Sequence, residues 1–125
     1  MSVISFVMGA EVHKETVVEM VKEMLPDHEL HVYNAAFIDD LFQAKTDSDL
    51  VILDLEAHIS VREVVRNYRF ADTKVAVILP DSEVNAIDDY THFDLVGFFS
   101  VGMSVEELVD GIKYIQRGIT YVHPI

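Results

Sequence analysis

The stretch Asp49-Leu50-Val51-Ile52-Leu53-Asp54 decides the fold, because it is a short apolar run with an acid at each end. Unbroken apolar character, with β-branched residues at its centre and polar residues at its limits, predicts a strand covered on both faces, as the central strands of parallel sheets are. Asp54 then stands where the strand leaves the sheet. In open α/β sheets the carboxyl ends of the strands form the crevice in which ligands and chemistry are placed.

The residues before this strand repeat an alternation of elements. Ser2 to Met8 is apolar and partly β-branched, and Gly9-Ala10 ends it. Val17, Met20, Val21, Met24 and Leu25 recur at helical spacing until Pro26, which predicts an amphipathic helix with the methionines filling the core. Leu30 to Tyr33 reads as a second strand, and Phe37, Ile38, Leu41 and Phe42 give a short second helix its apolar face.

The residues after it continue the pattern. Ser60-Val61-Arg62-Glu63 is a capping-box sequence opening a third helix with Val61, Val64, Val65 and Tyr68 inward. Lys74 to Leu79 is a fourth strand, a weakly amphipathic helix is expected from about Ser82 to Tyr90, and Leu95 to Phe99 is a fifth strand. Ser104-Val105-Glu106-Glu107 opens the last helix, with Val105, Leu108, Val109 and Ile112 inward and Gly118 as its stop. Five strands alternating with five helices through short connections predict an α/β fold: a three-layer, doubly wound, five-stranded parallel sheet. Tyr121-Val122-His123-Pro124-Ile125 leaves the helical pattern and is expected to lead into a linker.

Composition narrows the function classes. The chain has 125 residues, enough for one core, and no apolar run near the ~20 residues that cross a bilayer. No signal peptide is evident and there is no cysteine, so a cytoplasmic location is expected and thiolate chemistry is excluded. The net charge of −13 opposes direct contact with nucleic acid or anionic lipid. Arg62, Arg66 and Arg69 share a helical face, but with Glu63 and Asp72 nearby they read as a solvated surface. Neither a dinucleotide fingerprint nor a phosphate loop is present. Glu56 and His58 near Asp54 have no second ligand cluster to complete a metal site, and His28 and His31 read as loop residues.

With the elements in this order, Asp49-Leu50-Val51-Ile52-Leu53-Asp54-Leu55 in the third strand and Val96-Gly97-Phe98-Phe99 in the fifth resemble the receiver domain of bacterial response regulators. Ser104-Val105-Glu106-Glu107-Leu108 through Gly118-Ile119-Thr120-Tyr121-Val122-His123-Pro124 is similar to the subfamily whose receiver precedes a LuxR-type (NarL-like) helix-turn-helix. The resemblance implies a flavodoxin-like fold with strand order 2-1-3-4-5, residues 1–125 as a receiver-like regulatory domain, and a DNA-binding domain beyond it in the full gene. It also implies a histidine kinase or other regulatory protein as partner. A homodimer is implied as well, formed by the first and last helices or by the face of the fourth helix, fifth strand and last helix. DNA would be reached only through the additional domain, and no membrane contact is implied.

The resemblance makes Asp54 the phospho-acceptor position, yet its companions differ from the family pattern. The acid pair that holds Mg²⁺ falls on Gly9 and Ala10, with Glu11 as a displaced acid; the Ser or Thr after the fourth strand falls on Leu79; the Lys after the fifth falls on Val101. Phosphoryl transfer depends on such groups to neutralise charge. The expectation is therefore a non-enzymatic pseudo-receiver without a required cofactor, in which Asp54 is a vestigial acceptor or a strand-end carboxylate. Glu11 and Asp54 are the only Mg²⁺ ligand candidates. Phe98 stands at the aromatic switch position without a hydroxyl, and Phe98, Phe99 and Tyr114 are interface candidates. The alternatives are a working phospho-acceptor at Asp54 and a small-molecule sensor in a crevice lined by Gly9, Ala10, Leu79 and Val101.

Overall fold

The computed structural model describes residues 3–9, 12–34, 48–55, 59–68, 72–80, 90 and 93–122. The elements expected around Phe37 to Phe42 and Ser82 to Tyr90 lie largely or wholly outside these residues, as do Ala10, Glu11, Glu56, His58, Arg69 and His123 to Ile125. The described elements are β1 (Val3–Met8), α1 (Val12–Met24), β2 (Glu29–Asn34), β3 (Leu50–Asp54), α2 (Val61–Asn67), β4 (Lys74–Leu79), β5 (Gly97–Ser100), α3 (Val105–Gln116) and β6 (Tyr121–Val122).

All neighbouring strands run parallel, in the order β2-β1-β3-β4-β5-β6. The expected α/β architecture and 2-1-3-4-5 order are therefore found. The sheet has six strands rather than five, because Tyr121 and Val122 pair with Gly97 and Phe98 at its edge. A strand of two residues is too short to carry an alternation pattern, so the pairing comes from tertiary contact.

Every residue of β3 is buried. Its side chains divide by parity, as the two-residue period of a strand requires. Leu50 and Ile52 join Ile4, Phe6, Ala76 and Ile78 beneath α1 and α3. Val51 and Leu53 join Val7, Val75, Val77 and Leu79 on the other face, which Val61 and Val64 of α2 cover. The two acids of the run part company. Asp49 is exposed at the start of β3, where its carboxylate accepts from the Val3 amide at 2.8 Å and its amide donates to the Val3 carbonyl at 2.8 Å. Asp54 is 1 % exposed at the other end. Ser5 and Ser48, both buried, satisfy each other at 2.7 Å.

The helix ends follow the sequence. Ser60 Oγ accepts from the Glu63 amide at 3.3 Å. At Ser104 both halves of the box form, each at 3.1 Å. Gly118, at φ +84°, lets its own amide donate to the Ile115 carbonyl and that of Ile119 to the Tyr114 carbonyl, which closes the C-terminus of α3 as a Schellman turn.

One helix face requires correction. Val18, Val21 and Leu25 are buried and Val17 is partly so, whereas Met20 and Met24 are 45 % and 42 % exposed rather than core fillers. At about 100° per residue, Met24 lies roughly 60° and Met20 roughly 100° to one side of Val21, while Val18 and Leu25 lie to the other. The burial stripe is therefore centred away from the methionines.

The α3 helix approaches β5 and β6 through Gly111. A Cβ built there would fall on Cε1 of Phe99 and stand 2.8 Å from ring atoms of Tyr121. Overpacking of this kind costs roughly 1–3 kcal/mol, against which Ala recovers about 1 kcal/mol of helix propensity. Gly111→Ala is expected to lower stability by up to about 2 kcal/mol, read as a lower urea midpoint. A raised midpoint would contradict this close approach.

Candidate functional site

Parallel strands carry the C-terminal ends of β1, β3, β4 and β5 to one edge of the sheet, and Asp54 stands there at the end of the most buried strand. Beside it is a cavity of about 180 Å³. Its wall comprises the strand ends, through Met8, Asp54, Ile78, Phe99 and Ser100, together with Val17 of α1 and the turn from Val101 into Leu108 of α3. Asp54 is the one ionisable residue on that wall among the described residues, and the rest of the lining is mainly apolar. Val101, 40 % exposed, marks the rim.

The candidate residues are only partly brought together. Asp54 and Val101 share the cavity. Leu79 does not: it is 3 % exposed and packs in the cluster under α2 with Leu53, Val77 and Phe98. Gly9 is partly buried just beyond β1. Ala10 and Glu11 lie outside the described residues. Of the crevice expected from Gly9, Ala10, Leu79 and Val101, the cavity includes Val101 and leaves out Leu79, and among the described residues its wall comes mainly from β5, its following turn and α3. Met103, Val105 and Leu108 were missed as lining residues; apolar residues in the turn after β5 were the available signal.

The Mg²⁺ ion that the resemblance implies would be held by acids just after β1. Gly9 and Ala10 offer no side-chain oxygen, and among the described residues no group of three or more His, Asp or Glu is placed to hold a metal ion. No positive side chain reaches the cavity wall from the described residues.

The interface candidates also separate. Phe98 and Phe99 are 7 % and 1 % exposed and point into opposite cores, because adjacent strand residues alternate in direction. Tyr114 is 44 % exposed. Its ring stacks on Tyr121 at 6.1 Å, and Tyr121 in turn lies 5.3 Å from Phe99. These rings fasten β6 and α3 to the sheet. Burial, then the Glu107 and Asp110 carboxylates and Tyr114, raise the pKa of the Tyr121 phenol above the ordinary tyrosine value. Arg62 and Arg66 are exposed, and no helix among the described residues is long and apolar enough to cross a membrane.

No protein-family model matches the sequence, and no curated protein matches it. Solved structures do match in fold. The non-phosphorylated receiver domain of the stress response regulator RcsB from Escherichia coli is 12% identical with a TM-score of 0.80, over 99% of this chain and 100% of that one. A LuxR family DNA-binding response regulator from Silicibacter pomeroyi is 15% identical with a TM-score of 0.77, over 98% and 97%. The regulatory domain of the repressor of iron transport regulator RitR, in its inactive form, is 16% identical with a TM-score of 0.73, over 97% and 99%. The chain has the fold of a response-regulator receiver domain, and its structural neighbours include receivers of LuxR-type regulators.

The direction of Leu79 gives a test of the site. A Thr there would carry its hydroxyl into the apolar cluster under α2, losing packed methyl groups and desolvating a polar atom. Leu79→Thr is expected to cost roughly 2–4 kcal/mol in urea unfolding, and Leu79→Met less than about 1.5 kcal/mol. Equal tolerance of both would place the side chain outside that core.

Proposed function

We propose that this chain is a pseudo-receiver: a non-enzymatic regulatory domain that acts in signal transduction and transcription regulation through protein–protein contacts. In this reading it is not switched by ordinary Mg²⁺-dependent aspartyl phosphorylation. The observation that carries it is the company of Asp54. Asp54 is buried and shares its cavity wall with Met8, Ile78 and Phe99, with Val101 at the family's cation position and Leu79 turned into the opposite core. A phosphoryl group added there would bring negative charge to a mainly apolar wall on which, among the described residues, no cation stands to stabilise such a transfer.

The domain works, on this proposal, as part of a longer LuxR-type regulator in the cytoplasm. RcsB dimers have been determined bound to two parallel DNAs, in a chain of which this one covers 64%. By analogy the output is dimerisation, with DNA reached through an additional domain. The acidic surface, with its net charge of −13, supports that division of labour. Tyr114 and Val122 supply exposed apolar groups for self-association, 44 % and 52 % exposed.

Incubation with Mg²⁺ and acetyl phosphate is expected to leave the intact mass unchanged, and Mg²⁺ with beryllofluoride to leave the amide spectrum unchanged. The RcsB receiver, determined in the presence of BeF₃⁻, is the positive control. A mass increase or spectral response that disappears in Asp54→Asn would establish the working phospho-acceptor instead. Self-association has its own check: sedimentation at tens of micromolar is expected to show a dimer weakened by Tyr114→Ala. A monomer throughout would remove this part of the proposal.

A further inference from the structure

The cavity beside Asp54 has a size and chemistry that select a ligand class. We infer that it binds a small primary amine built on one aromatic ring or a branched aliphatic group, with the ammonium on the Asp54 carboxylate and the apolar body against Met8, Ile78, Phe99 and Leu108. This inference rests on the reading of Asp54 as a residue released from phosphoryl transfer.

Volume sets the upper bound. A dry apolar cavity of about 150 Å³ takes benzene. At about 180 Å³ this cavity admits one ring with a short arm, and a nucleotide or fused polycycle exceeds it. The lining sets the body of the ligand. Small-molecule sites combine mostly apolar walls with a few placed polar groups that fix orientation, and here Phe99 and Ile78 form the floor of two β-strands while Leu108 contributes from α3.

Charge sets the arm. Asp54 is the ionisable group of the wall among the described residues, and it is 1 % exposed. An ionised carboxylate offers two oxygens with about four acceptor sites, so it can receive an ammonium alongside its existing contacts. The pair would form in a water-poor setting, where charge-assisted hydrogen bonds are shorter and stronger than neutral ones. The protein's net charge of −13 draws cations toward the crevice and repels carboxylates and phosphates. Val101, on the turn from β5 into α3, and Val105, the first residue of α3, would cover the bound ring. Occupancy would thereby be reported to α3, which carries Tyr114.

The test is a titration of the 125-residue chain at low ionic strength with three probes of matched size: 2-phenylethylamine, 2-phenylethanol and phenylacetate. Amide chemical shifts are expected to move for Met8, Asp54 and Ser100 to Leu108, with the amine binding at least tenfold more tightly than the alcohol and phenylacetate not binding. Asp54→Asn, checked for folding by circular dichroism, should bring amine and alcohol to within twofold of each other. Val105→Phe, which narrows the cavity without touching the carboxylate, should weaken both. Equal binding of amine and alcohol to the unmodified chain, an amine preference that survives Asp54→Asn, or unmoved amides with all three probes would each overturn the inference. None of the probes carries a phosphoryl group, so their failure removes the ligand site alone, whereas a beryllofluoride response removes the reading beneath it.

Discussion

The rest of the molecule depends on covering β3 from both sides. A strand with Leu50 and Ile52 facing one way and Val51 and Leu53 the other cannot lie on a surface, because either face left open would expose aliphatic side chains to water. It must therefore sit between two other strands and beneath helices on both faces. Parallel pairing with β1 and β4, and the helical layers α1 with α3 and α2, satisfy that requirement. Full burial of a Leu, Ile or Val side chain contributes roughly 1.5–3 kcal/mol, so this strand alone supplies a substantial share of the driving force. The same constraint fixes where Asp54 emerges. A central parallel strand ends at the edge where connecting segments diverge, and its last side chain faces whatever those segments leave open.

Much of this was legible in the residues. The parity of β3, the caps at Ser60 and Ser104 and the turn at Gly118 are local codes, each written within a few positions, and each appears in the structure as local geometry. The misread features are those decided by distant contacts. Met20 and Met24 fit a helical apolar pattern, but Val18 and Leu25 placed the packed stripe elsewhere. Tyr121 and Val122 hold no pattern of their own and become a strand because Phe99 and the glycine gap at Gly111 receive the Tyr121 ring. At the site, the position of Asp54 followed from strand logic. The cavity did not, since its wall is gathered from Met8 to Leu108 and exists only after α3 has docked.

The family comparison and the local chemistry answer different questions. Structural neighbours at 12% to 16% identity establish the backbone arrangement, which many chemistries share. What Asp54 can do is set by the groups within reach of it. A receiver that transfers phosphoryl groups surrounds its aspartate with positive charge; among the described residues, the cavity wall that Asp54 shares is made mainly of apolar side chains, Met8, Ile78, Phe99 and Val101 among them. The two surroundings favour opposite guests. A metal and a cation make an anion welcome, whereas one carboxylate in an apolar wall on an acidic protein makes an anion costly and a cation favourable.

That reversal gives the turn between β5 and α3 its importance. In chain order it joins Ser100, the last residue of β5, to Ser104, the cap of α3, and Val101 and Met103 of this turn line the cavity together with Val105 just inside the helix. The capping box holds the helix start rigidly at Ser104, while Gly111 seats the middle of the helix on Phe99 and Tyr121. Movement at the cavity therefore has two places to go: the short turn before Ser104, or α3 as a unit. The second route carries Tyr114 with it, because Tyr114 lies on the same rigid helix and stacks on the edge strand through Tyr121. A guest beside Asp54 and a partner on Tyr114 would then be coupled through one helix, without a phosphoryl group at either end.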